Sequence, residues 1–334
     1  MMSERATRKA VFLFLCMAFL VLPFVGCNQS RPTAQQQSGS AVQKEPVNNK
    51  GVLRIGYQKT GALLLLKHRK TLEEILEPLG YTVAWSEFNT GLAVVEALSA
   101  GNIDFGNVGD APSLFGLARG LDFVYVASEP SAPQAEGILV KEDSPIQTVA
   151  DLKGKKVAFN KASISQYLLT KALASAGMSM SDVEPVYLAP SDASIAFAQG
   201  EVDAWVVWDP YFTVAAENGN RILTDGKGLV PYRTFYLSRK EYVDQHPDVI
   251  KQVVEELQKA GKQINENPRE AADLLSKATK IPVSVWEKVL HKKRSDANFM
   301  DQQAVDDLEV QADDFLNIGL IDKKVQVADA VWRP

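Results

Sequence analysis

The residues of this sequence that could do chemistry are lysines, hydroxyls and glycines that follow short apolar runs. Lys59-Thr60-Gly61 and Lys161-Ala162-Ser163 both stand between a predicted strand and a predicted helix, and Ser165 adds a second hydroxyl to the latter group. A turn of this kind points backbone N–H groups and the positive end of a helix dipole outward. The two turns therefore indicate sites that hold a small anion. Two plainer explanations stay open: Lys59 could be a solvated loop lysine, and Ser163 has capping-box spacing with Gln166.

A third group, Trp208-Asp209, also follows an apolar run. An aromatic ring at a strand exit can form a wall for the apolar part of a ligand, although core packing of Trp208 is the alternative. Asp209 can cap the next helix or point into a cleft. Together with the two turns, this group suits a small anion that carries an apolar tail.

Catalytic and metal-binding patterns are missing from the sequence. It contains no H-E-x-x-H, no G-x-S-x-G and no G-x-x-x-x-G-K-[ST]. The histidines, His68, His246 and His291, have no nucleophile or metal-ligand set beside them, and no spacing of Cys and His suggests zinc. We therefore expect a binding protein without a cofactor or a metal, and not an enzyme.

Two similar segments predict how these groups are positioned. In residues 101–112 (GNIDFGNVGDAP) and 200–210 (GEVDAWVVWDP), a helix stops at glycine, a short apolar strand follows, and Asp with Pro opens the next helix. The glycine, aspartate and proline residues that commonly end and begin helices and strands would give the same pattern without any shared site. The repeat favours two α/β lobes that present strand ends and helix starts to a shared cleft, where open α/β sheets bind ligands.

The order of strand and helix patterns predicts the division into lobes. Residues 51–132 would form the first part of lobe 1, residues 133–236 lobe 2, and residues 237–334 the completion of lobe 1 with the C-terminal helices. The proline-rich stretch from 128 to 133 would be the first crossing between lobes, and Phe235-Tyr236-Leu237 the return crossing.

A basic run between Lys288 and Arg294 is typical of a solvated face, with a docking patch for a partner as the alternative.

Charge and the N-terminal segment indicate where the protein works. The net charge of −5 argues against a general nucleic-acid binder. Residues 1–26 have the basic start and short apolar run of a signal peptide, and they resemble a bacterial lipoprotein signal with cleavage after Gly26 and lipidation of Cys27. A plain secretory signal is the alternative. Residues 27–50 would then be the lipidated Cys and a flexible polar tether. Cys16 would leave with the signal, so the mature chain could form no internal disulfide.

Four segments, taken in order, resemble one family. The runs LRIGYQKTG, EPSAPQAEGILV, VADLKGKKVAFNKASISQYLL and GEVDAWVVWDPY are similar to the aliphatic-sulfonate binding proteins of ABC importers, which group with taurine, nitrate and thiamine-precursor binders. The resemblance covers residues 53–237 closely and the remainder loosely. It implies the type II periplasmic-binding fold, an α/β fold of two lobes joined by a two-crossing hinge that closes on its ligand.

The same resemblance implies a function and partners. The chain would be an extracytoplasmic, lipid-anchored and monomeric solute-binding protein. Its partners would be an organosulfonate anion and the ABC permease with its ATPase, to which it delivers the anion. Binders of taurine, nitrate or a thiamine-precursor pyrimidine on the same fold, an enzyme on the two-lobe fold and a receptor subunit are the alternatives.

The resemblance also implies the ligand-binding residues. Backbone amides at helix starts would do most of the binding, because a permanent anion needs donors and no proton. Trp208 and Asp209 would flank the tail. The predicted ligand-binding set is Lys59, Thr60, Gly61, Gly91, Gly109, Asp110, Ala111, Glu129, Lys161, Ala162, Ser163, Ser165, Trp208 and Asp209. Two departures lie near it: residues 88–92 read FNTGL where the family often has F-x-A-G-P, and Ala162 stands where the family often has Gly.

Overall fold

In the computed structural model, residues 50–334 are described, and they fold around two β-sheets. The signal segment, Cys27 and the predicted tether up to residue 49 lie outside the described residues. The strands are β1 Gly51–Tyr57, β2 Tyr81–Glu87, β3 Phe105–Gly109, β4 Val124–Ser128, β5 Glu136–Lys141, β6 Lys156–Phe159, β7 Glu184–Tyr187, β8 Ala204–Trp208, β9 Asn220–Asp225, β10 Thr234–Ser238 and β11 Asn298–Phe299. The sheet of lobe 1 has the order β11-β4-β10-β3-β1-β2, and that of lobe 2 the order β7-β6-β8-β5-β9.

Helices follow the strands along the chain. They are α1 Gly61–Arg69, α2 Thr71–Leu76, α3 Gly91–Ser99, α4 Asp110–Ala118, α5 Ile164–Ser175, α6 Pro190–Gln199, α7 Tyr211–Glu217, α8 Lys240–Gln245, α9 Pro247–Glu266, α10 Pro268–Thr279, α11 Val283–Lys292 and α12 Gln302–Asn317. Strand β1 is parallel to β2 and β3, and β6 is parallel to β7 and β8. Helices α1, α3, α4 and α5 start just after β1, β2, β3 and β6, so their N-termini lie at the carboxyl edges of the sheets.

The two crossings between the lobes run side by side. The chain leaves lobe 1 after β4 and enters lobe 2 at β5, and it returns between β9 and β10. The Glu129 amide donates to the Thr234 carbonyl at 2.9 Å, and the Ala132 amide donates to the Tyr232 carbonyl at 2.8 Å. Backbone hydrogen bonds therefore hold the two crossings together as one hinge.

The expected return crossing at Phe235-Tyr236-Leu237 is wrong. These residues lie in β10, which pairs antiparallel with β3 on one side and β4 on the other, and the return runs through residues 226–233. The physical reason is burial, because an apolar run of this kind suits a central strand that is covered on both faces. All three side chains are at most 1% exposed.

Local sequence patterns form their elements as predicted. Gly101 follows α3 with a left-handed φ of 71°, where glycine is favoured. A Cβ on Gly106 would lie 2.8 Å from Val94 Cγ1 and 3.0 Å from the Gly56 carbonyl oxygen, so this glycine lets β3 approach both α3 and β1. The leucine run of α1, residues 63–66, is buried. Among the helices of residues 50–334, none has the length and apolar character needed to cross a membrane.

Candidate ligand-binding site

A cavity lies between the two lobes at the carboxyl edges of their sheets. Residues of lobe 1, of lobe 2 and of the second crossing contribute to its wall. They are Gln58, Thr60, Gly91, Asn107, Val108, Gly109, Pro112, Ser163, Ile164, Trp208, Tyr232, Thr234 and Lys293. Its mixture of polar and apolar walls suits a small ligand with one polar end.

Helix starts from both lobes meet at this cavity. Thr60 precedes α1 as its N-cap, Gly91 is the first residue of α3, and Ser163 precedes α5. The first amides of a helix have no partner within the helix, and they carry the positive end of its dipole. Neither the Thr60 nor the Ser163 side chain caps its helix, so these amides stay free of local side-chain acceptors. The helix starts therefore favour an anion in the cavity.

The turn before α5 differs from the capping box that its spacing indicated. The Ser163 hydroxyl donates to the Asn160 carbonyl at 2.6 Å and caps no amide. The Gln166 side-chain oxygen instead accepts from the Ala162 amide at 2.7 Å. Ala162 has a left-handed φ of 54°, the conformation that glycine adopts most easily. The backbone here therefore favours the glycine that the family often has at this position, although this chain has alanine.

The start of α4 is occupied by the protein's own groups. The Ala111 amide donates to Asp110 Oδ1 at 2.8 Å, and the Arg233 amide donates to Asp110 Oδ2 at 3.1 Å. The Asp110 amide donates to the Arg233 carbonyl at 3.1 Å. Asp110 was expected as the helix cap, but Gly109 is the N-cap and Asp110 the first helical residue. Of this predicted turn only Gly109 lines the cavity, and Asp110 ties the start of α4 to Arg233 of the second crossing.

Lys293 is the cation of the cavity wall. Its side chain is 12% exposed, and its ammonium lies 3.5 Å from Glu129 Oε2. The ammonium also donates to the Thr234 hydroxyl and lies 5.1 Å from the centre of the Tyr232 ring. The Glu129 carboxylate also accepts a hydrogen bond from the Tyr236 hydroxyl at 2.7 Å. A bound anion would therefore meet a lysine that neighbouring groups hold in place.

The basic run that contains Lys293 does not form a uniformly solvated face. Lys292 donates to the Thr213 hydroxyl at 2.6 Å and lies 3.3 Å from Asp209 Oδ2. Lys288, His291 and Arg294 are more exposed, and Lys288 pairs with Glu217 of α7. The expected solvated face is thus wrong for two of the five basic residues, because the end of α11 turns them inward.

The two lysines predicted from strand exits point elsewhere. Lys59 pairs with Glu87 at 3.1 Å and lines a second cavity that shares Gln58, Thr60 and Trp208 with the first. Lys161 lies 5.4 Å from the centre of the Tyr187 ring and lines a separate groove. Lys59 therefore stands at a neighbouring compartment, and Lys161 stands outside both cavities.

Trp208 forms the wall between the two cavities, since it lines both of them. The next residue, Asp209, lines the second cavity and is 3% exposed. Its Oδ1 accepts from the amide and the hydroxyl of Thr213, at 2.8 and 2.6 Å. Asp209 therefore caps the start of α7 as well as facing the cleft.

Buried carboxyl groups surround the hinge. Burial raises the pKa of Asp110 to about 6, although its amide hydrogen bonds lower it. Glu136 is fully buried, and among the described residues neither of its carboxyl oxygens has a hydrogen-bond partner. Burial, with the charge of Asp110, raises the pKa of Glu136 well above its usual range and favours the neutral form. An anion near the hinge would thus meet less repulsion than ionised carboxylates would cause.

Three other predicted residues do not line the cavity. Gly61 begins α1, Ala111 is fully buried in α4, and Ser165 is fully buried in α5. Sequence reasoning missed eight of the wall residues, namely Gln58, Asn107, Val108, Pro112, Ile164, Tyr232, Thr234 and Lys293. The first five adjoin predicted turns, so widening each turn by a few residues would have found them. For Tyr232, Thr234 and Lys293 the sequence offers no local signal.

The described part of the chain contains no group of three or more His, Cys, Asp or Glu that could hold a metal ion.

Comparisons with known proteins agree with this arrangement. Residues 80–271 match the family described as NMT1/THI5 like. An aliphatic sulfonates-binding protein of Escherichia coli (strain K12) is 40% identical over 84% of this chain and 89% of its own length. An aliphatic sulfonates-binding protein of Bacillus subtilis (strain 168) is 33% identical over 84% of this chain and 85% of its own length.

A solved structure shows the same fold. The alkanesulfonate-binding protein of Xanthomonas axonopodis pv. citri bound to MOPS superposes with a TM-score of 0.80 and 38% identity, over 87% of this chain and 99% of that chain. The two-lobe α/β fold of the type II periplasmic-binding class, predicted from the sequence, is confirmed.

Proposed function

This chain belongs to the NMT1/THI5-like family and is a relative of the aliphatic sulfonate-binding proteins, and we propose that it captures aliphatic sulfonates in its inter-lobe cavity. The observation that carries the proposal is the meeting of helix starts from both lobes with Lys293 in one cavity. A sulfonate keeps its charge at any physiological pH, so it needs hydrogen-bond donors and no proton-accepting group. Free helix amides and an ammonium supply such donors.

The remaining wall suits an aliphatic tail. Val108, Pro112, Ile164 and Trp208 bring apolar surface into the cavity beside the polar groups. Burying a methylene group contributes about 0.8 kcal/mol, so even a short chain adds measurable affinity. A longer tail would extend past Trp208 toward the second cavity.

Export and delivery complete the proposal. The protein would work outside the cytoplasm, held to a membrane through a lipid on Cys27, and would hand its ligand as a monomer to an ABC permease driven by its ATPase. The relatives named above support the extracytoplasmic setting, whereas Cys27 lies outside the described residues. The ligand-binding residues would act by holding the anion and not by turning it over.

A thermal-shift series on the purified protein tests the ligand class. The series would compare ethanesulfonate to octanesulfonate with taurine, sulfate, nitrate and a thiamine-precursor pyrimidine. A ligand at 100 times its Kd adds about 2.7 kcal/mol of stability, which gives a clear rise in Tm. We expect the alkanesulfonates to raise the Tm and sulfate and nitrate to leave it unchanged. A rise with nitrate or the pyrimidine alone would overturn the sulfonate assignment and leave the fold standing.

A further inference from the structure

The end of helix α11 makes one contact with each lobe through two adjacent lysines. Lys292 binds Asp209 at 3.3 Å and the Thr213 hydroxyl at 2.6 Å, and both partners belong to lobe 2. Lys293 binds Glu129 at 3.5 Å, where the first crossing leaves lobe 1. Adjacent Cα atoms are only about 3.8 Å apart, so the two contacts sit on one short piece of backbone.

The Asp209 and Glu129 carboxylates are both buried, so the loss of either lysine would be costly to the protein. Asp209 is 3% exposed and Glu129 is 2% exposed. An ion pair at the surface contributes little, but removing one partner of a buried pair leaves an uncompensated charge. The lysines therefore constrain where the two carboxylates can lie.

Helix α11 itself bridges the lobes. It packs against α10 of lobe 1, against α7 of lobe 2 and against the first crossing at Pro133–Ala135. The Gln134 side chain of that crossing donates to the Lys292 carbonyl at 2.6 Å. Its contact with α7 connects the lobes at a place separate from the covalent crossings.

We propose that Lys292 is a positioning residue for ligand capture, an inference that rests on the proposed function for its ligand. Through Asp209 it fixes the end of β8, and the residue before Asp209 is Trp208, the wall of the cavity. Through the backbone it fixes Lys293, the cation of the cavity. Lys292 thereby fixes the distance between the Trp208 ring of lobe 2 and the Lys293 ammonium, although it does not line the cavity itself.

Four variants separate this role from a merely structural one. Lys292→Met removes the ammonium but keeps the chain length, and Lys292→Arg keeps the charge. Lys292→Met with Asp209→Asn removes the ion pair between α11 and lobe 2 without leaving a buried carboxylate unpaired. The Asn side-chain oxygen still accepts from the Thr213 amide. Lys288→Met is the matched control, because Lys288 lies on the same helix and also pairs with lobe 2, at Glu217, but with a half-exposed side chain.

Isothermal titration with ethanesulfonate and hexanesulfonate gives the first readout. We expect Lys292→Met and the double variant to weaken both ligands by the same factor, at least about tenfold, with koff raised. Lys292→Arg should recover most of the affinity, and Lys288→Met should stay within about twofold of the wild type, as removal of an exposed pair does. Wild-type affinity in the double variant would overturn the proposal, and so would a loss confined to one chain length.

Small-angle X-ray scattering of the ligand-free proteins gives a second readout that needs no sulfonate. We expect a larger radius of gyration for Lys292→Met and for the double variant than for the wild type, Lys292→Arg and Lys288→Met. Unchanged scattering in the double variant would overturn the proposal that the Lys292–Asp209 pair holds the lobes together. If the wild type binds no sulfonate but the scattering still changes, the proposed ligand is wrong and the role of this ion pair stands.

Discussion

Replacement of Lys293 by methionine tests the cation of the cavity most directly. The ammonium lies 3.5 Å from Glu129 Oε2, and two unit charges at that separation attract by roughly 5 kcal/mol at an effective dielectric constant of about 20. Desolvation offsets part of this attraction, so loss of the lysine should lower the free energy of unfolding by about 3 kcal/mol. A hydrogen bond to a charged group contributes about 1.5–3 kcal/mol net, so the Kd for alkanesulfonates should rise roughly 10- to 150-fold.

A second substitution separates binding from folding. In Lys293→Met with Glu129→Gln no carboxylate is left unpaired, and the Gln side-chain oxygen can still accept from the Tyr236 hydroxyl, which now donates to Glu129 at 2.7 Å. We expect this double variant to recover most of the Tm that Lys293→Met loses and none of the affinity. Isothermal titration measures the Kd, and thermal or urea unfolding measures the stability.

Two lysines serve as comparisons, because the sequence alone assigned the anion to them. Lys59→Met removes a half-exposed pair with Glu87, and Lys161→Met removes a lysine outside both cavities. We expect each to change the Kd less than about threefold. The reasoning is refuted if either substitution weakens binding more than Lys293→Met, or if Lys293→Met binds like the wild type.

Three further predictions concern the tail, the hinge and the turn before α5. In the wild type each added methylene that packs against Trp208 should lower the Kd roughly fourfold, since its burial contributes about 0.8 kcal/mol. In Trp208→Ala, a titration series with alkanesulfonates of increasing chain length should show a change of less than about twofold per methylene. An unchanged dependence on chain length would contradict the role of Trp208 as the wall for the tail. Burial raises the pKa of Asp110 to about 6 from an ordinary 3.8, so its contribution to stability is complete below about pH 4 and is lost as the pH rises through about 6. The Tm of the ligand-free protein should accordingly fall between about pH 4 and pH 6, and a Tm that rises over this window would contradict the effect. Ala162→Val places a β-branched side chain at a φ of 54° and should cost roughly 2 kcal/mol or more in urea unfolding, whereas Ala162→Gly serves as the tolerated control.

The sequence alone was enough to locate the strand exits and helix starts of the site. The glycines, the Asp-Pro pairs and the short apolar runs act on backbone conformation within a few residues, so their effect can be read locally. Gly101 and Gly200 follow the ends of α3 and α6 in the structure, as the sequence predicted. Thr60 and Trp208, predicted in the same way, both line the cavity.

The sequence failed where a strand could belong to either lobe. The apolar run Phe235-Tyr236-Leu237 suits a buried strand or a buried crossing equally well. Its place between β3 and β4 depends on hydrogen bonds to residues more than 100 positions earlier in the chain. No local pattern encodes such a pairing.

Only the tertiary structure decided which lysine faces the ligand cavity. Lys59 and Lys161 stand at the expected strand exits, but their long side chains turn to Glu87 and to the Tyr187 ring. Lys293 follows a helix far along the chain, and it reaches the cavity because α11 packs between α10 and α7. The direction of a flexible side chain is set by the charges and rings that the fold brings within its reach, and these come from distant parts of the sequence.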